Sequence, residues 1–409
     1  MNRFGITISG IVQGVGFRPF LYREATERRL SGFVRNTSAG VYAEVEGELS
    51  DCEAFFAALE TKAPPLSKIT AIRREEIPVR GGTAFTILTS ESGGKTALIS
   101  PDIGICDACR RELLDPADRR CRYPFINCTD CGPRFSIIKD IPYDRASTSM
   151  AAFTQCAPCQ REYDDPLDRR FHAQPNACAN CGPRLSFFAG GKPEQGDAIA
   201  LAVETIRAGG IVAVKGLGGF HLVCDAQNEQ ATSLLRRRKQ RYEKPFAVMA
   251  RDLSAVRAFC EVSVEEEALL TGFRKPIVLL RKKPKLSLAP SVAPGNARLG
   301  VMLPYTPLHC LLMEHFPTLV MTSGNVSDRP MVYRDEDALA VLAPLADAVL
   351  THNRPIVRRI DDSVCVVSRG ETRMIRRARG FAPEPLPLKG NGCTTLAVGA
   401  QEKNTFCLL

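Results

Sequence analysis

Cys106-x2-Cys109-x18-Cys128-x2-Cys131 is followed by Cys156-x2-Cys159-x18-Cys178-x2-Cys181, the same pattern displaced by 50 residues. The repeat extends beyond the cysteines. Arg111-Glu112 recurs as Arg161-Glu162, Asp118-Arg119-Arg120 as Asp168-Arg169-Arg170, and Cys131-Gly132-Pro133-Arg134 as Cys181-Gly182-Pro183-Arg184. Two Cys-x-x-Cys knuckles can set four thiolates around one Zn²⁺ at about 2.3 Å each. Glycine after each closing knuckle permits the left-handed backbone that such a turn often needs. The matched quartets therefore predict a twin four-cysteine zinc module over residues 101–188, holding two structural zinc ions. Disulfides or a redox pair are the alternative, and the absence of a recognisable secretion signal argues against them.

The chain has 409 residues, enough for two to four domains that each bury a core. An apolar fraction of 44% and a charged fraction of 24% are those of a globular chain. The net charge of +9 suits anionic ligands such as nucleotides, phosphates or nucleic acid, and equally suits a surface kept solvated by Lys and Arg. Sixteen cysteines without a signal peptide or a long apolar run point to a reducing cytoplasm and to no membrane association.

Upstream of the cysteines, residues 3–9 alternate around Phe4, Ile6 and Ile8 and read as a strand. A glycine-rich turn follows, and residues 20–30 carry Phe20, Leu21, Ala25 and Leu30 at helical spacing. Two strands flank Asn36-Thr37-Ser38-Ala39-Gly40, then come a helix near 51–60 and strands near 68–77 and 84–88. The βαββαβ order is the ferredoxin-like arrangement, here over residues 1–90. A strand–glycine loop–helix junction aims backbone N–H groups and a helix N-terminus at one spot, which favours an anion. Arg18 is placed to grip a phosphate with its fork, although a tight turn carrying a surface arginine is the plain alternative. The stretch Gly10-Ile11-Val12-Gln13-Gly14-Val15-Gly16-Phe17-Arg18 resembles the acylphosphatase signature. The resemblance implies a phosphate loop of Gln13, Gly14, Val15, Gly16 and Phe17. It also implies that Arg18 holds the phosphoryl group and that Asn36 positions the attacking water.

Residues 89–100 read as a linker. Between the fingers, Phe135-Ser136-Ile137-Ile138 reads as a strand packing the two halves. His172 reads as a hydrogen-bonded structural residue, since both quartets are complete without it. Arg119, Arg120, Arg169 and Arg170 sit beside aspartates, so the module is expected to act as a scaffold rather than to bind nucleic acid. Ala189-Gly190-Gly191-Lys192-Pro193 reads as a second linker. From about residue 196 to 385 the pattern is α/β, with helices near 197–208, 229–239, 252–260 and 306–315. Strands are expected at 211–214, 246–249, 277–281, 318–322, 356–358, 364–368 and 373–376.

The densest basic cluster, Arg236, Arg237, Arg238, Lys239, Arg241 and Lys244, suits a solvated helix end or a nucleic-acid surface. A third reading fits better. Lys239-x-Arg241-x2-Lys244-Pro245, Ser323-Gly324-Asn325 and the strand Gly210–Val214 followed by Cys224-Asp225-Ala226 together resemble the YrdC/Sua-type nucleotide-binding family. That family makes acyl-adenylates from ATP, chemistry that needs fixed cations around a triphosphate. Nucleotide contacts are expected at Lys215, Lys239, Arg241, Lys244, Ser323, Asn325, Arg376 and Arg379. Lys215-Gly216-Leu217-Gly218-Gly219-Phe220-His221 departs from the Sua-type sequence, which implies an acceptor other than a threonine-derived carbamate. Asp361 and Asp362 either hold Mg²⁺ with the ATP phosphates or pair with nearby arginines; both readings stand.

The order of parts, with His352-Asn353-Arg354-Pro355-Ile356 and Arg376-Arg377-Ala378-Arg379-Gly380-Phe381, resembles the HypF family of [NiFe]-hydrogenase-maturation carbamoyltransferases. The resemblance implies cleavage of carbamoyl phosphate, ATP-dependent formation of carbamoyl-adenylate, and transfer to the C-terminal cysteine of a partner, HypE. Residues 394–409, with the run Leu396-Ala397-Val398-Gly399-Ala400, resemble the opening hairpin of that family's actin-like transfer domain, and a truncated transfer domain is expected. A threonylcarbamoyl-adenylate synthase and a zinc-containing RNA-binding protein are the rival readings.

Overall fold

A computed structural model describes residues 1–90, 97–284, 287–327, 329–386, 394–399 and 406–408. The chain divides into two compact units, one of residues 1–101 with 126–182 and one of residues 102–125 with 183–409.

The first unit opens with strand β1 (Asn2–Ile11), helix α1 (Phe17–Glu27), strands β2 (Ser31–Thr37) and β3 (Gly40–Gly47), helix α2 (Leu49–Thr61), and strands β4 (Lys68–Glu76) and β5 (Phe85–Ile87). The sheet order is β4-β1-β3-β2-β5; the β2–β5 pair is parallel and the other pairs are antiparallel. Ile6 and Ile8 on β1 lie fully buried against Leu21 and Ala25 of α1 and Phe55 of α2, as the period-two alternation and the helical spacing require. The junction between β1 and α1 turns on Gly16, the helix N-cap, whose φ of 74° lies in the left-handed region open to glycine.

The two fingers fold alike. Helices Asp107–Leu114 and Ala157–Asp164 each start at the first cysteine of a quartet. Asp118 Oδ1 accepts from the Arg120 amide at 2.7 Å, and Asp168 Oδ1 accepts from the Arg170 amide at the same distance. Arg120 and Arg170 are buried, which takes both off any surface patch. The strand expected at 135–138 is absent. The Arg134 carbonyl accepts from both Ile137 N and Ile138 N at 3.1 Å, so the apolar run is a buried turn, and Ile138 adds a lone bridge to Thr148. Hydrophobicity alone does not separate these outcomes.

Among the described residues of the second unit, eleven strands form one mixed sheet. From edge to edge they are Glu371–Arg376, Val364–Ser368, Ile277–Arg281, Arg298–Met302, Val248–Ala250, Thr318–Ser323, Phe220–Asp225, Val212–Lys215, Ala348–His352, Leu185–Ala189 and Lys192–Glu194. Central strands such as Val212–Lys215 are buried along their length, which explains their unbroken apolar runs. Helix Ala198–Arg207, capped by Asp197 on the amides of Ile199 and Ala200, packs on the sheet through Ile199, Ala202, Val203 and Ile206. The stretch read as a linker at 189–193 is the turn and second strand of a hairpin, with Phe188 opposite Pro193. Residues 356–358 lie outside any strand; the preceding strand ends at His352, and Pro355 has no amide hydrogen for a ladder. Leu396–Val398 pairs with Phe406–Leu408 as an isolated two-stranded sheet, with Leu396 and Val398 exposed. The linker expected at 89–100 and the run ending at Ala400 fall partly outside the described residues. No helix among the described residues is long and apolar enough to cross a membrane.

Candidate active site and metal clusters

In the first unit, Arg18 lies in the first turn of α1, whose N-cap has no side-chain partner and whose first turn has no acidic residue. The unsatisfied amides and the dipole of such a terminus attract an anion. Arg18 and Asn36 are both buried. With its amide oxygen toward the guanidinium, Asn36 accepts from Arg18 Nε at 3.3 Å and from Nη2 at 3.2 Å. Arg18 Nη2 also pairs with Asp144 Oδ1 at 3.3 Å. A pocket with about 330 Å³ of empty space, part of it open to solvent, lies here, walled on one side by Val12, Gly14, Gly16, Phe17, Arg18, Pro19 and Asn36. Thr129, Arg134, Tyr143, His172, Ala173 and Gln174, from the finger region, complete its lining.

The rest of the expected phosphate loop divides by role. Gln13 points away from the cavity: its Nε2 donates to the carbonyls of Thr37 and Gly40 at 2.7 Å, and its Oε1 accepts from the Tyr143 amide at 3.0 Å. Val15 is a core residue, and so is Phe17 in the main, although Phe17 also touches the cavity. Gly14 and Gly16 present backbone, and the Gly14 carbonyl accepts from Arg134 Nε at 2.5 Å. Sequence reasoning missed Arg134, Tyr143, Asp144 and His172 as parts of this site. The available hints were breaks in the repeat: Pro142-Tyr143-Asp144 lies between the fingers, and His172 stands where the first finger has Arg122.

The sulfurs of Cys106, Cys109, Cys128 and Cys131 lie within 4.8 Å of one another, and so do those of Cys156, Cys159, Cys178 and Cys181. Four sulfurs at about 2.3 Å from a tetrahedral centre stand roughly 3.8 Å apart. The Sγ–Sγ separations are 3.9 Å for Cys128–Cys131, 3.7 Å for Cys156–Cys178, 3.8 Å for Cys178–Cys181 and 3.6 Å for Cys159–Cys181. These match a metal tetrahedron and greatly exceed the ~2.05 Å of a disulfide. Burial opposes ionisation of Cys178, but the Asn180 amide and neighbouring thiols outweigh it and bring the group to about 7. Both quartets fit two structural zinc ions.

In the second unit the expected nucleotide residues fall into linked groups. Lys239 is buried, and its ammonium donates to Ser323 O at 2.5 Å, Asn325 O at 2.6 Å and Asn325 Oδ1 at 3.0 Å. Ser323 pairs with His221 across adjacent strands. His221 Nε2 lies 2.9 Å from Asp362 Oδ2, while Asp362 Oδ1 accepts from Arg379 Nε at 2.6 Å. Asp362 thus takes the arginine-pairing alternative. Burial works against its charge, but Arg379 and His221 hold its carboxyl well below the usual range. Arg376 Nη1 reaches the Asp362 carbonyl at 3.3 Å. Lys215, also buried, pairs with Asp335 at 2.5 Å and donates to His352 O at 2.9 Å; burial pulls its pKa down and Asp335 opposes that pull. Arg241 Nη2 holds the Pro245 carbonyl at 2.7 Å, and Lys244 is exposed. His221, Asp335 and His352 were not expected as partners; they come from two strands and a helix start far apart in sequence.

Residues 4–87 match the acylphosphatase family, residues 105–138 and 156–188 the HypF finger family, and residues 204–378 the Sua5/yciO/yrdC family, described as telomere recombination. Fold and sites together define a multidomain protein that joins an acylphosphatase domain to twin cysteine fingers and a yrdC-like α/β domain. Over its whole length the chain is similar to the HypF carbamoyltransferases. It is 50% identical over 416 residues to carbamoyltransferase HypF of Rhizobium leguminosarum bv. viciae, covering 100% of this chain and 53% of that one. A crystal structure of full-length HypF in the phosphate- and nucleotide-bound form superposes with a TM-score of 0.96 at 53% identity, covering 100% of this chain and 54% of that chain. An acylphosphatase of Chlorobaculum tepidum is 41% identical over 90 residues, 22% of this chain and 97% of that relative. The chain therefore spans about half the length of the HypF relatives it matches.

Proposed function

We propose that the chain cleaves carbamoyl phosphate at Arg18 and Asn36 and joins the released carbamate to ATP in its yrdC-like part, as an ATP-dependent carbamoyltransferase of [NiFe]-hydrogenase maturation. The observation that carries this reading is the buried Arg18–Asn36 pair at an uncapped helix N-terminus, inside a cavity. Arg18 and the amides of the glycine loop bind the phosphoryl group. Asn36 orients water, which attacks phosphorus; the P–O bond to the carbamoyl group breaks, leaving phosphate and carbamate. A carbamate oxygen then attacks the α-phosphorus of ATP, giving carbamoyl-adenylate with pyrophosphate as the leaving group. Ser323 and Asn325 orient the nucleotide, and Lys215, Lys239, Arg241, Lys244, Arg376 and Arg379 supply positive charge around the phosphates. Mg²⁺ would enter with ATP, neutralising phosphate charge, with Asp361 as a carboxylate candidate to hold it. The carbamoyl group is destined for the C-terminal cysteine of HypE. Free thiols gathered in two metal-binding quartets suit a reducing compartment, which supports a cytoplasmic location.

The bound phosphate and nucleotide named for the HypF crystal structure support both sites. The test is ATP–pyrophosphate exchange with labelled pyrophosphate. Exchange should depend on carbamoyl phosphate and not respond to bicarbonate plus threonine. Exchange that needs threonine would transfer the chain to the tRNA-modification reading.

A further inference from the structure

The finger region closes the Arg18 cavity, and one of its side chains sits there through a break in the repeat. His172 and Arg122 occupy equivalent places in the two fingers. Both have left-handed backbone, φ 54° and 57°. Both amides donate to a carbonyl nine residues back, His172 to Tyr163 at 3.0 Å and Arg122 to Leu113 at 2.8 Å. The unusual backbone thus belongs to the finger, and only the side chain distinguishes the two positions. Arg122 pairs with Glu314 at 2.9 Å. His172 lines the Arg18 cavity instead. Its ring is fixed edge-on by Phe171 at 4.6 Å and against Tyr163 at 5.0 Å. Its Nδ1 is buried and has no hydrogen-bond partner among the described residues. Burial and the Arg18 charge bring the imidazole down to about 4, so the ring is neutral at working pH and offers a lone pair.

An arginine at a glycine loop can hold the phosphoryl end of an acyl phosphate without a finger, and the Chlorobaculum acylphosphatase matches over 97% of its own length within 22% of this chain, too short to include one. What the finger adds to the cavity lining is a histidine with an unpartnered ring nitrogen. We propose that His172 reads the acyl group, its Nδ1 accepting a hydrogen bond from the carbamoyl NH2 of carbamoyl phosphate. This rests on the assignment of acyl-phosphate cleavage to Arg18. Acetyl phosphate has a methyl group of nearly the same size in place of that NH2 and cannot make the bond. Sites built to bond a substrate NH discriminate strongly against an analogue without it, because the buried acceptor is left unpaired.

The experiment compares kcat/KM for carbamoyl and acetyl phosphate in the full chain with both metals bound. The wild type should prefer carbamoyl phosphate by tenfold or more. His172→Ala should collapse the ratio to within about twofold of one, through loss of carbamoyl-phosphate cleavage with acetyl-phosphate cleavage held. His172→Asn keeps an acceptor and tolerates the left-handed backbone, so it should restore part of the preference. Metal content read alongside should stay at two per chain. Equal losses on both substrates, an unchanged ratio, or a wild type with no preference each overturn the inference alone. A wild type that cleaves neither substrate overturns the Arg18 assignment, and this inference falls with it.

Discussion

Arg18 shares its guanidinium between Asn36, 18 positions away, and Asp144, 126 positions away. The first partner stands on the strand that the acylphosphatase resemblance points to. The second has no local signal at all. Arg18→Ala removes the charged fork from both and should lower carbamoyl-phosphate cleavage about a hundredfold or more. Metal content should not change. Cleavage at the wild-type rate would reduce the loop to a tight turn. Asp362 makes a different kind of residue-scale case. It is the counter-charge of Arg379, which is 2% exposed. Asp362→Asn leaves that cation buried and unpaired, at a cost of roughly 3–5 kcal/mol. Because the carboxyl is held well below its usual range, this contribution is complete above about pH 4 and declines as pH falls below it. Urea unfolding at pH 7 measures it; a variant within about 1 kcal/mol of wild type would show that Arg379 finds another partner.

At the scale of the element, the fingers are more than cross-links. Cys128 is fully buried in its quartet, and its carbonyl accepts from Arg134 Nη2 at 3.3 Å. The same guanidinium holds the Gly14 carbonyl of the glycine loop at 2.5 Å. Cysteine knuckle, arginine and glycine loop therefore form one chain of contacts. Cys128→Ser should release one of two metal ions and loosen that chain, since bound zinc contributes folding free energy directly. Native mass spectrometry should count one zinc in place of two. Carbamoyl-phosphate cleavage should fall roughly tenfold to a hundredfold although Arg18 is intact, because small misplacements of a binding loop are costly. Two zinc ions retained, or full activity with one, would separate the finger from the site.

For the molecule as a whole, buried histidines set the response to acid. Burial and the Arg18 cation bring His172 to about 4; burial and His221 bring His309 to about 3; burial with Lys215 and Arg354 puts His352 well below its ordinary value. Each takes up a proton near pH 6.5 once unfolded. The unfolded chain therefore binds more protons than the folded one below that pH, and stability falls as pH drops from about 6.5 toward 4. His309→Gln should make the fall shallower by up to one proton, ~1.4 kcal/mol per pH unit. Urea midpoints at pH 7, 6 and 5 decide it; equal slopes for variant and wild type would place the acid sensitivity elsewhere.

The sequence by itself determined the parts whose chemistry is local. Cysteines two residues apart on a knuckle, or closing a loop of 18, specify a metal quartet because backbone geometry over those spans sets where the thiolates can go. A strand, a glycine turn and an arginine in the first helical turn likewise point to an anion site, because amides and guanidinium share one short segment. Only tertiary structure decided what closes those sites. Tyr143, Arg134 and His172 reach the Arg18 cavity, and Asp144 reaches Arg18 itself, from turns with no periodicity, and Phe135–Ile138, strand-like in composition, is a turn there. Lys215 meets Asp335 across 120 residues, and His221 meets Asp362 across 141. Such pairs follow from how long segments pack, and packing is settled by shape and buried charge summed over the whole chain, which no single stretch of sequence carries.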